Sequence, residues 1–308
     1  MAVMDRARTV SPGEPAEAGK KGASGAGVLL ALLATVVWSG SFVATRGMAD
    51  SVPPVQAVFW RWIIAGLAVA PFAARQAWQQ RALIRRHFGF IALATFFGVA
   101  LYNTLVHQAG LTTSASNMGM IMAASPVLMA LYARLGGERL GLRRTFGLLL
   151  AAVGVLLLVG GGSPGLDVGA GDLWMFAAAL SFATYSALLK RKPAELGGLA
   201  FLITTFVLGA LMLAPAYAVS LSVQGGFDAT AGTVGPLLYV GVFSSAVAFF
   251  AWNKAISVIG AARAGVVYYL QPVCVAVLGF WLIGERTGPA QLLCMALILG
   301  GVALGARR

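Results

Sequence analysis

The sequence predicts an all-α membrane protein: ten transmembrane helices in two inverted five-helix repeats (5+5), with both termini cytoplasmic. Three observations predict it. First, of 308 residues 59% are apolar and 10% are charged, against ~45–50% and ~25% in a soluble domain. So few charges cannot coat a water-facing surface, which excludes a soluble enzyme and a disordered chain. Second, the basic residues cluster in alternate loops. Third, the two halves resemble each other.

Residues 1–27 are polar, with Pro12, Pro15 and several Gly and Ser, and read as a flexible cytoplasmic tail. They make a poor signal peptide, because the apolar run that starts near Val28 continues to Thr45 without a small-residue cleavage site. A spanning helix needs ~20 apolar residues. Runs of that kind fall at about 28–48, 55–74, 88–108, 113–134, 144–162, 171–190, 199–221, 235–254, 261–283 and 289–306. Loop signals separate most of them: Pro53-Pro54, Arg85-Arg86, Gly136-Gly137, Gly160 to Pro164, Lys192-Pro193, Gly225-Gly226 and Gly288-Pro289. The turns at Ala109–Thr112 and Ala255–Gly260 are short enough for tight helical hairpins.

With the N-terminus inside, 19 of the 22 Lys and Arg fall in cytoplasmic segments; only Arg46, Arg61 and Arg286 lie elsewhere. The positive-inside rule therefore puts both ends in the cytoplasm, which requires an even number of spans. The net charge of +12 is read as orientation charge and not as a nucleic-acid surface. Cys274 and Cys294 lie within apolar runs and read as small core residues.

Self-similarity divides the chain at 28–162 and 171–306. Ala115 to Val127 (ASNMGMIMAASPV) matches Ala261 to Val273 (AARAGVVYYLQPV) at an offset of 146, aligning Ala115 with Ala261, Gly119 with Gly265 and Pro126-Val127 with Pro272-Val273. Gly137-Glu138-Arg139 then faces Gly284-Glu285-Arg286, and Trp38 and Arg46 face Phe182 and Lys190 at an offset of 144. Because five is odd, the halves must have opposite orientation. Inverted repeats form a substrate site near the midplane, and two related packings open it to either side in turn.

These residues resemble the drug/metabolite transporter superfamily, in its EamA-type ten-span branch. Trp38-Ser-Gly-Ser-Phe42, Arg61, Ala115-Ser-Asn117, Pro126-Val127 and Gly137-Glu138-Arg139-Leu140 carry the likeness in the first half. Ala261-Ala-Arg263, Leu270-Gln-Pro-Val273 and Gly284-Glu285-Arg286 carry it in the second. The resemblance spans about residues 28–306. It implies alternating-access transport of small metabolites, commonly amino acids moving outward, and the family includes aromatic amino-acid exporters. Four-span multidrug relatives use a buried Glu in the first helix. This chain has Trp38, Ser39 and Ser41 there, which disfavours carboxylate-based proton exchange and a cationic-drug preference.

Polar and aromatic residues concentrate in spans 1, 3, 4, 6, 8 and 9. The expected substrate-binding set is Trp38, Ser39, Tyr102, Asn103, His107, Asn117, Tyr185, Trp252, Asn253, Tyr268, Tyr269 and Gln271. Tyr and Asn facing lipid would leave polar groups unsatisfied, whereas in a pocket they bond an amino acid and stack on its side chain. Taken singly, each also suits helix packing. Spans 2, 5, 7 and 10 are mostly Leu, Ala, Val and Gly and should face lipid or brace the rest.

Pro126 and Pro272 interrupt matching helices and read as hinges or packing kinks. Lys254 and Arg263 read as gate or orientation charges. Arg61 sits about 10 Å into span 2 and holds either a substrate carboxylate or neighbouring backbone, the structural role being favoured. Glu138-Arg139 and Glu285-Arg286 read as helix-end capping or as a latch. His107 is a candidate proton carrier or an interfacial histidine. No P-loop, HExxH or CxxC pattern is present, so no ATP drive, cofactor, metal or catalytic residue is expected of this chain. The partners expected are a small-molecule substrate and the lipid bilayer, without nucleic acid, in a monomer or weak homo-oligomer of the bacterial inner membrane. An anionic or phosphorylated metabolite is the alternative substrate class. A lipid-modifying enzyme is the alternative activity.

Overall fold

A computed structural model describes residues 15–123, 125–135, 141–159, 169–189 and 191–306. Glu138-Arg139 and Lys190 lie outside the described residues. Among the described residues there are helices and turns and no strands. Six helices are long and apolar enough to cross a membrane, and four shorter apolar helices accompany them. Leu67, Phe72, Leu156, Val219, Phe250 and Trp281 are exposed. Water does not tolerate apolar surface of that extent, and lipid requires it. The chain is a multi-pass membrane protein.

Helix α1 runs Pro15–Gly47 and α2 Pro54–Gln79. α1 starts well before the apolar run at Val28, so hydropathy alone underestimates its length. α3 (Arg81–Arg86) is a short connector. The third apolar run is α4 (Phe88–Thr95), a π-helical segment π1 (Phe96–Leu101) and α5 (Tyr102–Ala109). A short turn then leads to α6 (Ala115–Ala123) and α7 (Ser125–Leu135). α8 is Leu142–Val159, α9 Ala170–Leu189 and α10 Gly198–Gln224. α11 (Ala231–Leu238), π2 (Tyr239–Val247) and α12 (Ala248–Tyr268) are continuous. α13 (Gln271–Ile283) and α14 (Pro289–Ala306) follow.

The helical stretch of α12 is not straight. Trp252 and Tyr268 are sixteen residues apart, which a straight helix would separate by about 24 Å. Their rings nevertheless meet at 5.7 Å between centroids, and Trp38 touches both. The chain therefore doubles back between them, where the sequence predicts its short hairpin.

Pro272 does not kink a continuous helix as the sequence suggests. It is the second residue of α13, and α12 ends at Tyr268 before the turn at Tyr269-Leu270. A proline near a helix start costs little, because the N–H it lacks has no intrahelical acceptor there.

α1 packs on α12, α13 and π2; α9 packs on α5, π1, α6 and α7. α2 pairs with α10, α8 with α14 and α6 with α13. The α8–α14 contact depends on small residues. A Cβ at Gly301 would stand 2.5 Å from both the Ala151 nitrogen and the Gly147 carbonyl oxygen. Backbone cannot yield as a flexible side chain does, so Gly301→Val is expected to force the pair apart. The expected cost is about 1–3 kcal/mol, read as a lower thermal midpoint in detergent. Gly300→Val, where a Cβ meets open space, should leave the midpoint unchanged.

Candidate functional site

Both π segments occur in corresponding apolar runs, the third and the eighth. A π turn releases backbone carbonyls from the regular ladder, and here a side chain from elsewhere in the chain takes one in each case. Ser181 Oγ of α9 donates to the Phe97 oxygen of π1 at 2.7 Å. Trp38 Nε1 of α1 donates to the Ser244 oxygen of π2 at 3.0 Å. The same segments are approached closely by glycines. Gly40 of α1 lies under Tyr239, and Gly98 of π1 lies under Tyr185, so a Cβ at either would overlap the ring. The Tyr239 hydroxyl donates to the Val37 oxygen at 2.8 Å.

The Trp38 bond holds its indole in an aromatic cluster. Its ring centroid is 5.5 Å from Phe249, 5.4 Å from Trp252 and 5.9 Å from Tyr268. Trp38, Trp252 and Tyr268 are half-buried, so the cluster keeps open ring surface at the interruption between α12 and α13. Ser39 Oγ donates to the Thr35 oxygen at 2.7 Å and to the Gln271 oxygen at 3.3 Å, tying α1 to the first residue of α13. The Gln271 side chain bonds Tyr268, and its Oε1 has no partner although the residue is 1% exposed.

A second aromatic group lies on the α9 side. Tyr102 and Phe182 rings are 5.4 Å apart, and Phe182 and Tyr185 6.3 Å. The Tyr102 hydroxyl faces Met122 Sδ at 4.0 Å. Met118, Met120 and Met122 are buried around it, so this wall is soft and adaptable. The other wall is rigid and aromatic.

Arg61 is buried on α2. Its Nε donates to Ser245 Oγ at 3.1 Å and its Nη2 to Ser244 Oγ at 3.3 Å, both on π2, and it lies 5.2 Å from the Trp62 ring centroid. His107 is buried with an unpartnered Nε2. Tyr102 and His107 both lie on α5, which packs on α2.

The structure thus gathers Trp38, Ser39, Trp252, Tyr268 and Gln271 into one cluster, with Tyr102 and Tyr185 in a second. Two expected residues are engaged otherwise. Asn103 Nδ2 donates to the Val99 and Gly98 oxygens, at 3.0 and 3.4 Å, and so satisfies π1 itself. Asn117 belongs to a polar lattice at one end of the molecule. Its Nδ2 donates to Asp172 Oδ1 at 3.3 Å, and its Oδ1 accepts from Gln291 Nε2 at 2.7 Å. Thr113 Oγ1 also donates to Asp172. Beside this lattice Glu285 accepts from the Ala115 and Ser116 backbone N–H groups at 3.0 and 3.2 Å. The carboxylate therefore caps α6 from the α13–α14 loop. Lys254 is exposed and Tyr269 half-buried, each with a partner. The side chains of Asn253, Arg263 and Pro126 lie outside the described set.

Sequence reasoning misses the two π segments, the Ser244-Ser245 seat of Arg61, the methionine wall and the Asp172 lattice. No group of three or more potential metal ligands occurs among the described residues.

The EamA-like transporter family model matches the chain twice, over residues 25–160 and 169–306. The chain belongs to the EamA-like transporter family. Among EamA-like and other transporters it is 25% identical to an uncharacterized transporter of Archaeoglobus fulgidus, covering 84% of this chain and 89% of that protein. It is 28% identical to a probable terminal-alkyne amino-acid exporter of Streptantibioticus cattleyicolor, over 90% and 92% of the two chains. A solved crystal structure shares the fold with a TM-score of 0.64 at 20% identity, covering 90% of this chain and 94% of its own.

Proposed function

We propose that this EamA-like transporter exports amino acids by alternating access and without ATP, with a weak preference for aromatic or bulky apolar ones. The observation that carries the reading is the half-buried Trp38–Trp252–Tyr268 cluster at the interruption before α13, beside the open Gln271 acceptor. Ring faces suit an apolar side chain, and the unpartnered Gln271 Oε1 suits a donor of the amino-acid backbone. The amino-acid exporter of Streptantibioticus cattleyicolor supports the substrate class.

Ten spans in two inverted halves, divided at 28–162 and 171–306, account for the helix pairing. Exchanging the halves turns α2·α10 and α8·α14 into themselves, and turns the α12, α13 and π2 partners of α1 into the α6, α7 and π1 partners of α9. The doubled family match and the paired π segments support the same arrangement. With the N-terminus in the cytoplasm, the Glu285 cap and Asp172 lattice lie at the outer face, as a closed gate. The membrane is then the bacterial inner membrane.

Counterflow in proteoliposomes tests the function. Vesicles loaded with each amino acid in turn should take up labelled phenylalanine fastest when they hold Trp, Phe or Tyr, with or without a pH gradient. No counterflow with any amino acid would overturn the reading and bring forward an anionic or phosphorylated metabolite.

A further inference from the structure

Arg61 poses an electrostatic problem that the fold leaves unsolved. The residue is 6% exposed, and a charge buried within a membrane protein is costly unless it is paired. It touches two neutral hydroxyls and a ring. No carboxylate among the described residues lies against it. Asp172 and Glu285 are engaged in the polar lattice at one end, and Asp50, Glu195 and Asp228 are exposed. The remaining guanidinium N–H groups have no partner among the described residues.

The surroundings of Arg61 are polarised. Ser244 accepts from Arg61 through its hydroxyl and from Trp38 through its carbonyl, so the guanidinium stands one residue from the aromatic cluster. His107 lies on α5, which packs against α2, and its buried Nε2 is unpartnered. Across the cluster, Gln271 presents an unpartnered acceptor, its Oε1. From Arg61 the contacts run through Ser244 to the Trp38 ring, on to Tyr268 and to Gln271, so cation and acceptor stand on opposite sides of the rings.

We propose that Arg61 binds the carboxylate of the substrate, while Gln271 Oε1 receives its ammonium group and the Trp38 cluster its side chain. The inference deepens the amino-acid reading and rests on it. It gives the site a direction: the ligand is an organic carboxylate, and an amine without one does not bind. Arg61 acts as a ligand to substrate, with the Ser244-Ser245 pair holding its fork in place. An arginine held at two nitrogens can present the others to a carboxylate in the bidentate geometry that makes such pairs strong.

The test uses the full chain purified in neutral detergent, with ligand-induced thermal stabilisation as readout. Phenylalanine should raise the melting temperature, phenylpropionate should raise it less, and phenethylamine should not. In Arg61→Gln the half-saturating concentration of phenylalanine should rise about tenfold or more, and without ligand the melting temperature should be unchanged or higher, because an uncompensated charge has gone. In Gln271→Leu the response to phenylalanine should weaken while that to phenylpropionate persists, which keeps the test decisive if the Arg61 variant fails to fold. Stabilisation by phenethylamine equal to that by phenylalanine would overturn the proposal. So would an unchanged phenylalanine response in Arg61→Gln. Carboxylate-dependent binding without counterflow would sink the transport reading alone. Counterflow that survives Arg61→Gln undiminished would sink this inference alone.

Discussion

Trp38→Ala is expected to lower counterflow of phenylalanine about a hundredfold. The substitution removes three ring contacts, with Phe249, Trp252 and Tyr268, and the indole N–H that occupies the Ser244 carbonyl. Truncating a packed Trp costs about 3–5 kcal/mol, and every 1.4 kcal/mol is about tenfold in an equilibrium. The loss should exceed that in stability alone, because the freed π2 carbonyl borders the proposed site. Trp38→Phe restores ring surface without the donor and should recover part of the flux. Trp281→Ala serves as the control, since that side chain is 78% exposed on the apolar surface and should leave flux unaltered. Equal losses in the Trp38 and Trp281 variants would mean that the cluster is ordinary packing.

The second large effect is expected at Glu285. Its carboxylate receives two backbone N–H groups at the start of α6 and the Ser116 hydroxyl at 3.4 Å. A negative charge at a helix N-terminus is favourable through both the orphan donors and the helix dipole. Losing such a cap costs about 0.5–2 kcal/mol, enough to shift a two-state gate by about tenfold near the middle of that range. The reporter is a cysteine in place of Met118, which is fully buried just inside the cap, in a chain whose Cys274 and Cys294 are replaced by alanine. Labelling by a membrane-impermeant maleimide should become about tenfold faster when Glu285→Ala is added. Glu285→Gln, which keeps a neutral acceptor, should fall between. A labelling rate indifferent to residue 285 would leave the contact a cap and not a gate.

Much of this molecule is legible in one dimension. Hydropathy places the apolar runs because burial in lipid depends on composition along a segment, and the observed helices begin and end within a few residues of most of them. The P-V pair at Pro272 marks an interruption, because proline acts on its own backbone. The placing of the interruption differs in detail. In span 9 the helix breaks at Tyr269-Leu270 and restarts with Gln271, because proline is compatible with a first helical turn but removes a bond from an interior one.

The candidate site was legible by residue type and not by role. Trp38, Trp252, Tyr268 and Gln271 stand together, as their polarity within apolar runs suggests. Asn103 and Asn117 have the same polarity and do something else: one satisfies π1, the other joins the Asp172 lattice. Nothing along the chain separates the two outcomes, since each depends on which carbonyl or carboxylate the fold brings within 3.5 Å.

The sequence by itself determined that the chain crosses a membrane, where it does so, and that it is built from two related halves, because those properties follow from local composition and from repetition. Only the tertiary structure decided that Arg61 sits on the serines of π2 without an acid, that Glu285 caps α6, and that Trp38 bridges Trp252 and Tyr268. These contacts join residues 169 to 230 positions apart or fold one helical stretch back on itself. They are set by helix crossings and by π turns, and a π turn arises from packing that no single stretch of sequence encodes.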